Sequence, residues 1–179
     1  MKIVLATPLY PPDIAEPAPY VKELARRLAP DHQVTVLAYG RLPEKVPGVT
    51  IVAADKRHPL LVRLFLYTIA LWRAARSADL IYAQNGPSIE LPVAVVNFFL
   101  RRPLMARWGD EAAHAYAQKK FMRRTMERLA FGGAKTVMDS PLPRPEILPL
   151  EPRPTAALAA WEESWQAHVR ELTQQFHDA

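Results

Sequence analysis

The carboxylates Asp110 and Glu111 stand directly behind Gly109, just past the short apolar run 103–107. In an open α/β sheet that place is the C-terminal edge of a strand, where ligands bind. A carboxylate there can accept a hydrogen bond from a ligand hydroxyl, Asp110 first and Glu111 second. Asp ahead of Glu-Ala-Ala equally suits a helix N-cap with a favourable acid in its first turn. Gln84 and Asn85 close a second short run, 79–83, ahead of Gly86-Pro87-Ser88. Their amides can bond hydroxyls but exchange no proton near neutral pH, and Asn85-Gly86 also reads as a turn. Arg107, near the same edge, can take an anionic group or pair with an acid.

Other apparent motifs carry less. Glu163 and Glu171 are eight positions apart in a C-terminal helical pattern, ~80° past a whole number of turns, so they do not share a face closely. Glu111-x-x-His114 has the spacing of a carboxylate–histidine metal pair, but no second pair completes a site. His32, His58, His168 and His177 are scattered singly. No metal site and no cofactor are expected.

These residues need elements to position them. Short β-branched runs at 2–7, 33–38, 49–53, 79–83, 103–107 and 135–138 alternate with stretches of helical length. In one such stretch Tyr20, Val21, Leu24, Ala25 and Leu28 recur at helical spacing, with Lys22, Glu23, Arg26 and Arg27 opposite. Strands alternating with helices predict an α/β fold, a Rossmann-like parallel sheet covered by helices on both faces. The segment 59–77 is apolar for only nine residues between Arg63 and Arg73, far short of the ~20 a membrane span needs. It reads either as a mostly buried crossover helix or as one facing a membrane surface or partner.

Residues 141–154 hold six prolines and read as an extended linker between a domain at 1–140 and a helix at 155–179. Thr155 can cap that helix, and Leu158, Trp161, Trp165, Val169, Leu172 and Phe176 mark one apolar stripe. Such a stripe is expected to dock, most simply on the body of the same chain.

The chain has 179 residues, half of them hydrophobic, which excludes a disordered protein. The absence of cysteine excludes a disulfide framework or thiolate zinc site and fits a reducing compartment. The opening apolar run, Ile3 to Ala6, is too short for a signal-peptide core of ~7–15 residues. Residues 1–155 carry 22 basic and 14 acidic side chains and 156–179 carry 1 and 4, a basic body with an acidic tail. A nucleic-acid or anionic-lipid partner would suit that split, and so would a tail lying on the body. Lys119, Lys120, Arg123, Arg124 and Arg128 cluster with Phe121, Met122, Met126 and Leu129. This is a solvated basic helix face or a membrane-surface patch; with no aromatic platform among the cations, nucleic acid is not the expected partner.

The fragments MKIVLATPLYPPDI, PAPYVKELARRLAP and HQVTVLAYG, followed by ADLIYAQNGPS, RRPLMARWGDEAAHA and FGGAKTVMDS, resemble the N-terminal half of family-4 retaining glycosyltransferases of the two-domain GT-B fold. The resemblance covers roughly residues 1–140. It implies an acceptor-binding domain that would meet a donor-binding domain across a cleft. Here the sequence passes from Ser140 through the proline-rich segment to a final helix resembling the one that closes such enzymes, so the donor domain is expected to be missing. Asp110 and Glu111 then become the catalytic candidates, and Tyr10, Asp13, Gln84, Asn85 and Arg107 the substrate-binding ones. The family usually places a Gly-Gly pair in the loop after the first strand, against the donor pyrophosphate. Ala15 and Glu16 stand there instead, adding a Cβ and a negative charge.

The function implied is an acceptor-side domain unable to transfer sugar until another chain supplies a donor-binding domain. A non-catalytic remnant serving as an interaction module, at a membrane surface for instance, is the alternative. Partners on this reading are a donor-domain chain, a sugar or lipid-linked acceptor and a peripheral membrane contact. The setting is cytoplasmic, or peripheral at an inner membrane face.

Overall fold

The computed structural model describes residues 1–15, 17–108, 119, 121–137, 140–145 and 155–178. Glu16, Asp110 and Glu111, three of the expected site residues, lie outside them. The chain divides into two units, Met1–Val137 and Met138–Ala179, and each is described by itself.

Every expected strand forms. In chain order these are β1 (Lys2–Ala6), β2 (Gln33–Tyr39), β3 (Val49–Ala54), β4 (Leu80–Gln84), β5 (Leu104–Arg107) and β6 (Lys135–Val137). They pair in parallel in the order β3-β2-β1-β4-β5-β6. Among the described residues the helices of the unit are α1 (Ala18–Leu28), α2 (Leu60–Ala75), α3 (Pro87–Leu100) and α4 (Phe121–Phe131). This is the Rossmann-like α/β architecture the alternation predicts. The chain reverses its lateral direction between β3 and β4, which opens a crevice at the C-terminal ends of β1 and β4.

Side-chain alternation splits the sheet into two faces. On one, Val4, Ala6, Leu37, Ile81, Ala83, Leu104 and Ala106 form a continuous apolar core with the inner residues of α2, α3 and α4, such as Leu71, Val93 and Phe131. On the other, α1 buries Tyr20, Val21, Leu24, Ala25 and Leu28, the five residues its periodicity marks. β4, flanked on both sides, is buried along its whole length, as a central parallel strand must be.

Of the two readings of segment 59–77, the mostly buried one needs correction. α2 is the crossover from β3 to β4, yet it is not mostly buried: its fully buried residues are Tyr67, Leu71 and Ala75. Leu61, Phe65 and Leu66 face solvent, because α2 lies in the outermost layer and only one side of it meets the sheet.

In the second unit, α5 spans Thr155–His177. The Leu142 N–H donates to Ser164 Oγ at 3.1 Å, and the Arg144 guanidinium stands 5.7 Å from the Trp161 ring centroid. The prolines at 141, 143 and 145 lie in backbone without regular structure.

Candidate functional site

The crevice is set by three strand ends. Ala6 is paired with Ala83, and Gln84 with Arg107, so Thr7, Gln84 and Arg107 form a row across β1, β4 and β5 on the face that α1 covers. All three are buried, at 0%, 1% and 6% exposure. A polar row at the end of otherwise apolar strands has to be internally bonded or it costs stability.

Thr7 Oγ1 donates to the Leu9 carbonyl at 2.8 Å and lies 3.3 Å from Gln84 Oε1. The other end of that amide, Nε2, has no partner among the described residues. A buried amide group left unmatched costs about 1–3 kcal/mol, so its presence calls for an explanation. Gln84 is thus a hydrogen-bonding group held at the sheet edge with one end uncommitted.

Arg107 reaches back over α1. Its guanidinium carbon stands 3.6 Å from the centroid of the Tyr20 ring, and the Tyr20 and Tyr82 hydroxyls share a 2.7 Å hydrogen bond. Burial, then the neighbouring Tyr20, holds the Tyr82 phenol well above its ordinary range, against the pull of the Arg107 charge. Asn85 is buried too, and its N–H donates to the Arg107 carbonyl at 3.1 Å. At Gly86 the chain turns into α3: the Gly86 carbonyl accepts from Ile89 and Glu90 N–H groups at 2.8 and 3.1 Å. A Cβ at Gly86 would stand 3.3 Å from Pro8 Cγ, so the loops after β1 and β4 touch here. This geometry is that of the turn that Asn85-Gly86 reads as.

Tyr10 and Asp13 sit apart from that row. They line a cavity of about 270 Å³ over the ends of β2 and β3, with Tyr39, Arg41 and Lys56. Lys56 Nζ pairs with Asp13 Oδ2 at 2.6 Å across it. The Tyr10 hydroxyl is buried with no partner among the described residues. Burial first, then the Glu44 charge, pushes its phenol up to about 12. Glu44 pairs with Lys22 of α1, and its N–H donates to the Pro11 carbonyl at 3.1 Å, tying the β2 loop to the β1 loop.

Ala15 is exposed, and its carbonyl accepts the Ala18 N–H at 2.9 Å. α1 therefore begins with no N–H at Pro17 or Pro19 and with the Ala18 donor already spent. Helix N-termini hold phosphates through those first N–H groups, and these three positions offer none.

The structure brings Gln84, Asn85 and Arg107 together and places Tyr10 and Asp13 in a neighbouring cavity. Thr7, Tyr20 and Tyr82 were not legible as site residues. Tyr20 sits in an apolar stripe and Tyr82 in a strand, and only the register reveals that they support Arg107. Among the described residues no group of three or more His, Asp or Glu stands together to hold a metal ion.

No protein-family model matches the sequence, and no curated protein does. Among solved structures, Anabaena Alr3699/HepE in complex with UDP matches at 18% identity and a TM-score of 0.54, over 92% of this chain and 41% of that one. The same protein in complex with UDP and glucose matches to the same extent. The apo-form glycosyltransferase GlyE of Streptococcus pneumoniae TIGR4 matches at 13% identity, over 72% of this chain and 33% of that one, but with a TM-score of only 0.35. The HepE likeness is one of fold, and this chain spans well under half of that protein's length.

Proposed function

We propose that the chain is the acceptor-side domain of a family-4-type glycosyltransferase, built to hold a hydroxyl-bearing acceptor and dependent on a separate donor-binding domain for sugar transfer. The observation that carries this reading is Gln84. An amide whose N–H end is uncommitted, fixed at the switch point of a Rossmann-like sheet beside Arg107, suits a sugar hydroxyl, to whose oxygen it can donate. The likeness in fold to a protein solved with UDP and glucose supports it. Asp110 and Glu111 follow Arg107 by three and four residues and are the carboxylates proposed to meet the acceptor hydroxyl.

The start of α1 supports the second half of the reading. With Ala15-Glu16 in the loop and two prolines flanking Ala18, a donor pyrophosphate finds few backbone N–H groups on this domain. The chain alone is therefore expected to bind acceptor saccharides without turning over a nucleotide sugar.

A thermal-shift screen of saccharides, lipid-linked sugars and nucleotide sugars tests this, with Gln84→Leu and Asp110→Ala as comparisons. An acceptor that raises the melting temperature of the wild type, and not of the two variants, supports the reading. Sugar transfer by the isolated chain would overturn the dependence on a donor domain. Failure of every sugar to shift the melt, with or without a donor-domain partner, would leave the interaction-module reading in its place.

A further inference from the structure

The outer surface of the α2–α3–α4 layer is apolar where a solvated face is ordinarily polar. α2 exposes Leu61 at 80% and Phe65 at 65%, and α3 exposes Phe98 at 75% and Phe99 at 64%. Trp72 of α2 meets Phe99 edge-on, ring centroids 5.8 Å apart, which joins the two helices into one patch. α4, packed against α3, extends it with exposed Phe121, Met122 and Leu129. Large contiguous apolar patches of this kind mark interaction surfaces.

The charge on this layer identifies the partner. The three helices contain two acids, Glu90 and Glu127, and both are buried. Their exposed charge is therefore wholly cationic: Arg73 on α2 and Arg128 on α4, with Arg76 and Arg101 directly behind the ends of α2 and α3. Asp55 and Asp79, the carboxylates flanking α2 in the chain, accept the backbone N–H groups of Arg57 and Lys2 at 2.9 and 2.7 Å. A second copy of the chain seated symmetrically on this face would set cation against cation, with no exposed acid on α2, α3 or α4 to offset them. An anionic bilayer presents the opposite: negative headgroups for the arginines and acyl chains for the aromatics. No described helix is long and apolar enough to cross a membrane, so contact would be confined to the surface.

We propose that the α2–α3–α4 face docks on an anionic lipid bilayer, with Phe65, Trp72, Phe98 and Phe99 entering the headgroup–acyl boundary and Arg73, Arg76 and Arg101 engaging lipid phosphates. The proposal stands independently of the glycosyltransferase reading.

Co-sedimentation of the full chain with vesicles of phosphatidylcholine alone, or of phosphatidylcholine mixed with phosphatidylglycerol, tests it. Partition onto the anionic vesicles is expected to exceed that onto neutral ones by about tenfold or more and to fall as salt is raised. Phe65→Glu/Phe98→Glu and Arg73→Glu/Arg101→Glu should each lower anionic partition by about tenfold or more. All four positions lie on the surface, so the variants should melt as the wild type does; should one fail to fold, the lipid and salt dependence of the unmodified chain still decides. Equal partition onto both vesicle types, no partition at all, or folded variants that bind like the wild type would overturn the proposal. So would a dimer in light scattering that Phe65→Glu/Phe98→Glu dissolves while vesicles stay unbound.

Discussion

The guanidinium of Arg107, at the end of β5, stands over the ring of Tyr20 of α1, its carbon 3.6 Å from the ring centroid. A cation over an aromatic face is worth about 2 kcal/mol or more once desolvated, and both residues are buried. The contact locks the first helix to the strand end that carries the candidate site.

That pairing predicts a measurable coupling. Arg107→Lys keeps the charge but loses the planar stack, and should destabilise the fold by about 1–2 kcal/mol. Tyr20→Leu should cost more, because it also strips the Tyr82 hydroxyl of its 2.7 Å partner. In urea melts the double variant should fall short of the sum of the singles by about 1 kcal/mol. Strict additivity would show the stack to be energetically idle.

Tyr10 makes the opposite kind of prediction. Its hydroxyl is buried with no partner among the described residues, so Tyr10→Phe should leave stability near neutral pH unchanged or raise it by about 1 kcal/mol. The alkaline limb is diagnostic. The folded phenol sits at about 12 against an ordinary 10.0, so above pH 10 the unfolded chain ionises first and stability falls. The penalty from this group is absent below pH 10 and grows until about pH 12. Tyr10→Phe should flatten that fall, and absorbance at 295 nm should lose one late-titrating phenol. Burial also holds Tyr67 and Tyr82 well above their ordinary range, so they should remain among the late-titrating phenols.

Gly86 is the junction between the two site loops, in a conformation open to glycine. Its φ of 154° is one that side-chain-bearing residues rarely adopt, and a Cβ would press on Pro8 Cγ at 3.3 Å. Gly86→Ala should cost about 1–3 kcal/mol by chemical denaturation. Adding Pro8→Ala should recover the steric part and leave the backbone part. Full recovery would mean the conformation itself is unstrained.

How far the sequence carried the fold follows from its periodicities. The strands are short β-branched runs, and α1 has an apolar face that reads directly as Tyr20, Val21, Leu24, Ala25 and Leu28. The site was legible only by place. Gln84, Asn85 and Arg107 stand at strand ends, which sequence can see. That Thr7 lies beside Gln84 and Tyr20 beneath Arg107 depends on strand register and on which face α1 covers, and neither is written locally. α2 stayed open between two readings for a related reason: Leu61, Phe65 and Leu66 are as apolar as any core residues, and apolarity does not say whether cover comes from the chain itself.

The C-terminal end of α3 offers two substitutions of opposite sign. Arg101 closes the helix in the left-handed region, φ 48° and ψ 43°, where a residue with a Cβ pays a steric cost that glycine does not. Arg101→Gly should therefore stabilise the domain by about 0.5–1 kcal/mol. Asn97 holds the same turn twice: its carbonyl accepts the Arg101 N–H at 2.9 Å, and its side-chain Oδ1 accepts the Arg102 N–H at 2.8 Å. Asn97→Ala keeps the first bond and loses the second, so it should cost about 1 kcal/mol. Thermal melts of both variants check the pair. If Arg101→Gly melted below the wild type, something the side chain does would outweigh its backbone strain, and the exposed arginine behind α3 would have a stabilising role in the free domain.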